Sequence, residues 1–365
     1  MKYDERDRAN IHPLLPLLNA RAARLSWPCP ANLGGPITAH EVRRSAIRPH
    51  GGVVSPSTGV PTWAWQVEGP PGAPSVLLLH GWMATAALNW YGSLEFLGHS
   101  FRVVAPDLRG HGREGRRAPP FSVEGCADDL AGLIGELRLG RAIVVGYSMG
   151  GAIAQVLAKR HRDVVKGIVL CATAASFARR VKLRPAVRVA GKLGGTAARK
   201  WPQSADQFLR WRIARHDKKV QLQRQRADVL NGGLVARSTI AGAAVGVDEP
   251  ATSYGGIFST GGDPYVMDWA LAERTMSDLA AFIEAGAELN AYDSSPWLPE
   301  LEVPTAVLVT TGDNVVAPWR QEAMWALIPG ARRYAVDAGH DAAVARPGVF
   351  LPVLRDACRE LAQED

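Results

Sequence analysis

The feature that most constrains this chain is a short apolar run that ends in a Gly-x-Ser-x-Gly turn. Residues 142–147 read Ala-Ile-Val-Val-Gly-Tyr, and Ser148-Met-Gly-Gly follows. A continuous β-branched run predicts a buried strand, and the spacing of apolar residues over 152–162 predicts a helix. Gly146, Gly150 and Gly151 leave room for a sharp reversal between the two. The pattern therefore places the Ser148 hydroxyl at the positive end of a helix, where negative charge is favoured.

The same five-residue pattern is also compatible with an ordinary structural turn, because Gly and Ser are common residues. Its position between a predicted strand and a predicted helix favours the alternative, a nucleophile elbow that presents Ser148 above a sheet.

Predicted strands and helices alternate on both sides of this turn. Two early strands, Ile37–Ile47 and Pro61–Glu68, are expected to form a hairpin at a sheet edge, joined by a Gly/Pro/Ser-rich loop. Further strands are predicted at 76–79, 102–105, 166–172, 305–310 and 333–336, with helices between them. This alternation predicts a mostly parallel, eight-stranded α/β sheet with helices on both faces.

The pattern also divides the chain into regions. Residues 1–36 hold one helical pattern broken by prolines and are predicted to be an N-terminal extension. Residues 37–173 and 301–365 form the predicted α/β core. Between them, residues 174–300 are rich in Arg, Gln, Ala and Trp, with Gly-rich breaks and no alternating strand. We expect this insertion to be a mainly helical cap.

Residues able to carry chemistry follow the predicted strands. His80-Gly81-Trp82, Asp107, Ser148, Asp313 and His340 each come directly after one. Ligands of parallel sheets bind beyond the carboxyl ends of the strands, so these residues are expected to share one site. A Ser hydroxyl needs a base to take its proton, and an imidazole base needs a carboxylate to fix its tautomer. Ser148, His340 and Asp313 can fill these roles.

Other candidates compete for the same roles. Asp107 also stands at a strand end and is an alternative acid. His80 and His111 are embedded in Gly-bounded turns, which favours structural histidines over bases. Asp337 and Asp341 lie too close to His340 in sequence to align with its ring. None of these residues has metal-ligand spacing, so we expect no metal and no cofactor.

With these motifs in place, the chain resembles the α/β-hydrolase superfamily, in the branch with His-Gly-x after the third strand. The resemblance covers roughly residues 60–175 and 300–360. It implies that Ser148 is the nucleophile, Asp313 the acid and His340 the base. It further implies that the backbone N–H groups of Trp82 and Met149 form an oxyanion hole, which stabilises the developing negative charge.

The identity of the nucleophile narrows the expected reaction. Haloalkane dehalogenases and epoxide hydrolases of this fold use Asp at the elbow, so Ser148 favours acyl chemistry. We expect a serine carboxylic-ester hydrolase, an esterase or lipase, with a small-molecule ester substrate. The cap is expected to shape an apolar acyl pocket, for which Trp82, Trp201, Trp211, Trp269 and Trp297 are either lining residues or ordinary packing. The alternatives are a cofactor-free haloperoxidase-type perhydrolase, an acyltransferase, a thioesterase and a catalytically silent binding protein.

Charge and composition bear on partners and location. The formal net charge is +7, but residues 179–226 carry 15 Lys and Arg against two Asp, whereas residues 248–300 carry ten acidic residues against Arg274 alone. Either the two stretches face each other or are simply solvated, or the basic one meets an anionic membrane surface or an acidic partner. No nucleic-acid motif accompanies the basic stretch.

The charged N-terminus lacks an apolar signal-peptide core, so a cytoplasmic protein is expected. The four cysteines are expected to be free thiols, and the sequence gives no indication of oligomeric state.

Overall fold

A computed structural model describes residues 47–54, 61–112, 119–177, 184–204, 207–208, 211, 273 and 276–364. Its strands are β1 (Ile47–Val54), β2 (Pro61–Val67), β3 (Ser75–Leu79), β4 (Arg102–Pro106), β5 (Ala142–Tyr147), β6 (Val165–Cys171), β7 (Thr305–Thr310) and β8 (Arg332–Val336). Its α-helices are α1 (Ala86–Gly98), α2 (Val123–Glu136), α3 (Met149–Arg160), α4 (Arg184–Lys200), α5 (Leu279–Ala291), α6 (Pro318–Leu327), α7 (Ala342–Ala345) and α8 (Pro347–Ala362).

The strands form one eight-stranded sheet in the order β1-β2-β4-β3-β5-β6-β7-β8. β2 is antiparallel to both of its neighbours, and the pairs from β4 to β8 are parallel. The mostly parallel α/β sheet predicted from the alternation is thus confirmed. Since the chain crosses from β4 past β3 to β5, the carboxyl ends of β3 and β5 meet at a switch in strand order, where ligands of such sheets bind.

The sheet is covered on both faces, which explains why its central strands are continuously apolar. In β3, Leu77 and Leu79 pack in one hydrophobic cluster with α2 and α3. Val76 and Leu78 point the other way and pack with α1 and α8. All of β3 and β5 is buried as a result. Burial of this kind stabilises each large side chain by about 1.5–3 kcal/mol and holds the strand ends rigidly.

The edge hairpin differs from the expectation in its first strand. The structure places β1 at Ile47–Val54, within the stretch expected to be a loop, and residues 37–46 lie outside the described residues. β1 pairs antiparallel with β2, and the register shifts between His50 and Val53, around Gly51 and Gly52. A Gly pair resembles a strand break in sequence, but at a sheet edge it accommodates a bulge without ending the strand.

Two helices are described in the insertion between β6 and β7. α5 buries Ala281, Ala285 and Leu289 in the same hydrophobic cluster as α2 and α3. α4 packs closely on α5, because Gly191 carries no side chain: a Cβ there would lie 2.2 Å from that of Ala287. The other residues of the expected cap, including Trp269, and the expected extension at 1–36 lie outside the described residues.

The basic and acidic stretches face each other where both are described. Arg184 pairs with Asp293 at 2.8 Å, and Arg188 binds Glu288 through two hydrogen bonds of 2.9 and 2.7 Å. Arg199 forms a third pair with the buried Glu284. Part of the segregated charge therefore holds α4 on α5.

The remaining expectations concern cysteines and membranes. Cys126, Cys171 and Cys358 are buried free thiols, as expected, and Cys29 lies outside the described residues. Among the helices described here, none is both long and apolar enough to span a bilayer.

Candidate active site

The turn after β5 forces Ser148 into an unusual backbone conformation. Its φ and ψ are 52° and −112°, a region that residues with a side chain rarely adopt. The flanking glycines make the turn sterically possible. A Cβ on Gly146 would lie 2.4 Å from the carbonyl oxygen of Gly150, and one on Gly150 would lie 2.4 Å from that of Leu79. The glycines around Ser148 are therefore required by close backbone contacts.

Neighbouring strands hold the strained residue in place. The N–H of Ser148 donates to the carbonyl oxygen of Cys171 at 2.9 Å, and the Thr173 hydroxyl donates to the carbonyl of Ser148 at 2.8 Å. Backbone strain of this kind persists only where surrounding contacts over-determine it. Both contacts come from the end of β6, so the sheet itself orients the half-buried Ser148 side chain.

His340 connects Ser148 to Asp313. The His340 ring places Nε2 3.1 Å from Oγ of Ser148 and Nδ1 2.8 Å from Oδ2 of Asp313. A carboxylate can only accept, so Nδ1 carries the imidazole proton and Nε2 is free to accept the proton of the Ser148 hydroxyl. The structure brings together the three residues predicted from sequence, in the arrangement required for a nucleophile, a base and an orienting acid.

The Asp313 side chain is fully buried and receives five hydrogen bonds. Oδ1 accepts from the backbone N–H groups of Val315 and Val316 at 2.8 and 2.9 Å. Oδ2 accepts from Thr310 Oγ1 at 2.9 Å and from Gln321 Nε2 at 3.2 Å, besides His340. Sequence reasoning missed Thr310 and Gln321, since a Thr ending a strand and a Gln inside a helix carry no motif.

Tyr147, the residue before Ser148, fixes the backbone of His340. Its hydroxyl donates to the carbonyl oxygen of His340 at 2.7 Å, and its ring meets the imidazole edge-on at 6.0 Å. Burial raises the pKa of Tyr147 well above its usual value of 10.0, so the phenol stays neutral and keeps donating. The turn after β5 therefore positions both Ser148 and the loop that carries His340.

The turn after β3 lies beside Ser148. A Cβ on Gly81 would be 3.5 Å from that of Ser148. The Gly81 N–H donates a hydrogen bond to Asn89 Oδ1 at 2.9 Å. Next along the chain, Trp82 donates from its indole Nε1 to the carbonyl of Phe282 at 3.0 Å. Across the elbow, Met149 is the first residue of α3 and is fully buried. The two expected oxyanion residues thus belong to the two turns that meet at Ser148.

The competing candidates have structural contacts elsewhere. Asp107 accepts from the N–H of Ala86 at 2.8 Å, at the start of α1. His80 accepts from the N–H of Leu108 through Nε2 at 2.9 Å, and its Nδ1 donates to the Gly81 carbonyl at 2.8 Å. Asp337 lies 3.4 Å from the hydroxyl of Thr311. It is Asp313, and not Asp107, that meets His340.

His80 and His111 are buried beside each other. Their ring centroids are 5.2 Å apart. Burial, followed by the charge of His111, lowers the pKa of His80 from 6.5 to about 3. Burial lowers the pKa of His111 from 6.5 to about 4. Both rings are therefore neutral at pH 7, in agreement with a structural role. Within the described ranges, no three His, Cys, Asp or Glu side chains are grouped so that they could hold a metal.

Comparison with known proteins identifies the class. Residues 74–347 match the family described as having the alpha/beta hydrolase fold, and the chain belongs to this family.

Individual relatives resemble smaller parts of the chain. A stretch of 107 residues is 38% identical to the AB hydrolase superfamily protein YisY of Bacillus subtilis, covering 29% of this chain and 40% of that protein. Another of 104 residues is 38% identical to the bifunctional esterase/perhydrolase DCH of Acinetobacter calcoaceticus, covering 28% of this chain and 37% of that protein. The chain thus spans about two fifths of the length of these curated relatives.

Among solved structures, a thermophilic esterase from Thermogutta terrifontis has the same fold. The TM-score is 0.58 at 23% sequence identity, and the match covers 86% of this chain and 99% of the esterase. At this level of identity the similarity establishes the fold alone.

Proposed function

We propose that this hydrolase-fold protein is a serine carboxylic-ester hydrolase, an esterase or lipase, which acts through an acyl-enzyme. The observation that carries the proposal is the position of His340, whose two ring nitrogens lie 3.1 Å from Ser148 Oγ and 2.8 Å from Asp313 Oδ2. Ser148 is the nucleophile in this proposal, His340 the base and Asp313 the acid.

Acylation follows from this geometry. Ser148 Oγ attacks the ester carbonyl carbon while its proton passes to His340 Nε2, and Asp313 stabilises the resulting imidazolium. The negative oxygen of the tetrahedral intermediate accepts hydrogen bonds from the backbone N–H groups of Trp82 and Met149. Each such donor is worth about 3 kcal/mol of barrier. When the intermediate collapses, the C–O bond breaks and His340 returns its proton to the leaving alcohol.

Deacylation repeats these steps with water. His340 Nε2 accepts a proton from water as the water oxygen attacks the acyl carbon. The bond to Ser148 Oγ then breaks, His340 protonates Oγ, and the carboxylic acid leaves. The site is restored without a metal or an organic cofactor taking part, in keeping with the chemistry of such triads.

The substrate we propose is a small ester with an apolar acyl group, bound under a cap formed by the insertion. Phe282 of α5, packed with Met83 and Leu279, provides apolar surface next to the turn that carries Trp82. Trp201 and Trp211 are more than half exposed, and Trp297 packs against the hydrophobic core under the ammonium group of Lys159. These three therefore support the alternative of ordinary surface or packing roles over a pocket lining.

Perhydrolysis is the second candidate. It is favoured by the similarity to the bifunctional esterase/perhydrolase DCH of Acinetobacter calcoaceticus, which is 38% identical over 104 residues. In this reaction hydrogen peroxide replaces water in deacylation, and a peroxy acid leaves. An acyltransferase would differ in the nucleophile that attacks the acyl-enzyme, and a thioesterase in the leaving group, which would be a thiol. The triad would play the same part in both.

The test is hydrolysis of p-nitrophenyl esters from acetate to palmitate by the wild type and Ser148→Ala. We expect hydrolysis that requires Ser148, with an optimum chain length that reports the size of the acyl site. Thr305→Val is the matched control. It removes a buried hydroxyl at the start of β7, at the opposite end of the strand from Thr310, and should retain activity. Hydrolysis that persists in Ser148→Ala would rule the mechanism out. Peroxy acid formed from the same esters in hydrogen peroxide would identify perhydrolysis.

A further inference from the structure

The Asp313 carboxylate is held by more donors than a base-orienting acid needs. Its two oxygens receive five hydrogen bonds, and three of these converge on Oδ2, from Thr310, Gln321 and His340. A carboxylate offers about four lone-pair sites, so the donors on Oδ2 share its electron density. The imidazole of His340 therefore competes with two neutral side chains for one oxygen.

The orientation of the Gln321 amide is set by backbone groups on either side. Its Oε1 accepts from the N–H of Thr310 at 3.0 Å, and its Nε2 donates to the carbonyl of Val316 at 2.7 Å. Gln321 is fully buried. Because one partner can only donate and the other can only accept, the amide cannot be reversed, and Nε2 is the group that faces Asp313.

The direction of the Thr310 hydroxyl follows from that of Gln321. Of the two hydrogens on Gln321 Nε2, one is directed to the Val316 carbonyl and the other is shared between Thr310 Oγ1 at 2.9 Å and Asp313 Oδ2 at 3.2 Å. The hydroxyl proton of Thr310 is therefore left for Asp313 Oδ2, 2.9 Å away. Thr310 is the last residue of β7 and is fully buried. The strand end thus delivers one full donor, and α6 one shared donor, to the oxygen that also accepts from His340.

We infer that Thr310 and Gln321 are positioning residues that act on the base through Asp313, an assignment that rests on the proposed function of the triad. They fix the rotation of the carboxylate, since hydrogen bonds to a charged acceptor are about twice as strong as neutral ones. By occupying Oδ2, they also weaken the bond that this oxygen accepts from Nδ1–H of His340.

The test compares Thr310→Val, Thr310→Ser, Gln321→Glu and Thr305→Val with the wild type. Valine keeps the shape of threonine without the donor, and serine keeps the donor. In Gln321→Glu, the new carboxyl group would still offer an acceptor to the N–H of Thr310, but it would replace the amide donors with a second acid group beside Asp313. Thr305 is the matched control, since its buried hydroxyl lies in the same strand but donates to the backbone carbonyl of Val303 at 2.8 Å.

Two readouts are used that do not need ester turnover. The first is the rate at which a fluorophosphonate modifies Ser148, in which the Oγ–P bond forms, the P–F bond breaks and His340 takes the proton. The second is the far-downfield proton NMR resonance of His340 Nδ1–H, assigned by its loss in His340→Ala. If the protein hydrolyses no ester but still reacts with the fluorophosphonate, the proposed ester hydrolysis is contradicted. The effect of Thr310 and Gln321 on the reactivity of Ser148 can still be measured.

We expect Thr310→Val to slow the modification about tenfold, because the carboxylate loses a contact that fixes its rotation and so orients His340 less well. The Nδ1–H resonance should move downfield, because Oδ2 with one donor fewer accepts more strongly. Gln321→Glu should also slow the reaction, Thr310→Ser should recover most of the rate, and Thr305→Val should match the wild type. The inference requires both the slower rate and the moved resonance in Thr310→Val, so the absence of either overturns it. An equal loss in Thr305→Val would also overturn it.

Discussion

The indole Nε1 of Trp82 donates a hydrogen bond to the backbone carbonyl oxygen of Phe282, 3.0 Å away. The contact joins the turn after β3 to α5, across 200 residues of sequence. Gly286, one turn further along α5, lies against the same ring, and a Cβ there would be 2.9 Å from Trp82 Cζ2. The insertion therefore holds the turn that provides one of the proposed oxyanion donors.

We predict that Trp82→Phe lowers kcat about tenfold, with a smaller change in KM. Phenylalanine retains an aromatic ring but loses the N–H that anchors it, so the backbone N–H of residue 82 is less well placed for the oxyanion. Gly286→Ala should have the same effect by displacing the indole. Gly92→Ala is the matched control, since a Cβ on Gly92 meets no atom within 4 Å. Wild-type kcat in Trp82→Phe would contradict the prediction.

The two candidate acids lead to a second prediction. Asp313→Asn should lower kcat on the order of 10⁴-fold, because an amide can donate to Nδ1 of His340 and so stabilise the wrong tautomer. Asp107→Asn should lower the free energy of unfolding, since Asp107 accepts the N–H of Ala86 at the start of α1. Steady-state kinetics measures the loss of kcat, and urea unfolding measures the loss of stability, so the two together distinguish the roles of Asp313 and Asp107. A large loss of kcat in folded Asp107→Asn would return Asp107 to the role of acid.

The predictable parts of this site are those with local signals. The run before Ser148 and its glycines predicted the elbow, because close backbone contacts leave few residue choices there. Asp313 and His340 were predicted since both follow strands of a parallel sheet. In contrast, Gln321 reaches Asp313 from within α6, and Trp82 reaches Phe282 from far along the chain. Such contacts depend on how helices pack, which the spacing of residues in one segment does not encode.

The strands of the fold also differ in how well their positions are predicted from local sequence signals. The strands from β3 to β7 are largely buried on both faces and read as apolar runs, and β8 at the other edge alternates between more and less exposed residues. The predicted positions of all six lie within one or two residues of those in the structure. The start of the sheet was misplaced because β1 contains Gly51 and Gly52 at a register shift. An edge strand has one partner only and tolerates residues that a central strand excludes.

The buried histidines predict a loss of stability in acid. The pKa of His111 is about 4 in the folded protein and 6.5 when solvated, so the unfolded chain binds more protons between these values. The free energy of unfolding is therefore highest above pH 6.5 and falls as the pH drops toward 4. His111→Phe should reduce the loss between pH 7 and pH 5 by about 2 kcal/mol.

His111 suits this test because its Nε2 has no hydrogen-bond partner among the residues that the structure describes, and its ring lies between those of Phe121 and Phe282. Urea unfolding at both pH values, on wild type and variant, measures the difference. The same loss in both proteins would show that another group titrates.

The outer face of α4 leads to a prediction about membranes. Val189, Leu193 and Trp201 are more than half exposed, and Lys192 and Lys200 lie among them. An amphipathic helix with basic residues beside apolar ones binds anionic lipid, at about 1 kcal/mol per Lys near the surface. We predict binding to vesicles containing phosphatidylserine that weakens as salt is raised, measured by co-sedimentation. Binding that is equal at low and high salt, or equal to neutral vesicles, would contradict the electrostatic contact.

The central claim is that His340 and Asp313 activate Ser148, and its most direct measurement is fluorophosphonate modification of the intact protein followed by mass spectrometry. We predict a single adduct, on the peptide that contains Ser148, which forms rapidly in the wild type and far more slowly in His340→Ala and Asp313→Asn. It should be absent from Ser148→Ala. An adduct on another residue, or a rate that does not change when His340 is removed, would contradict the account.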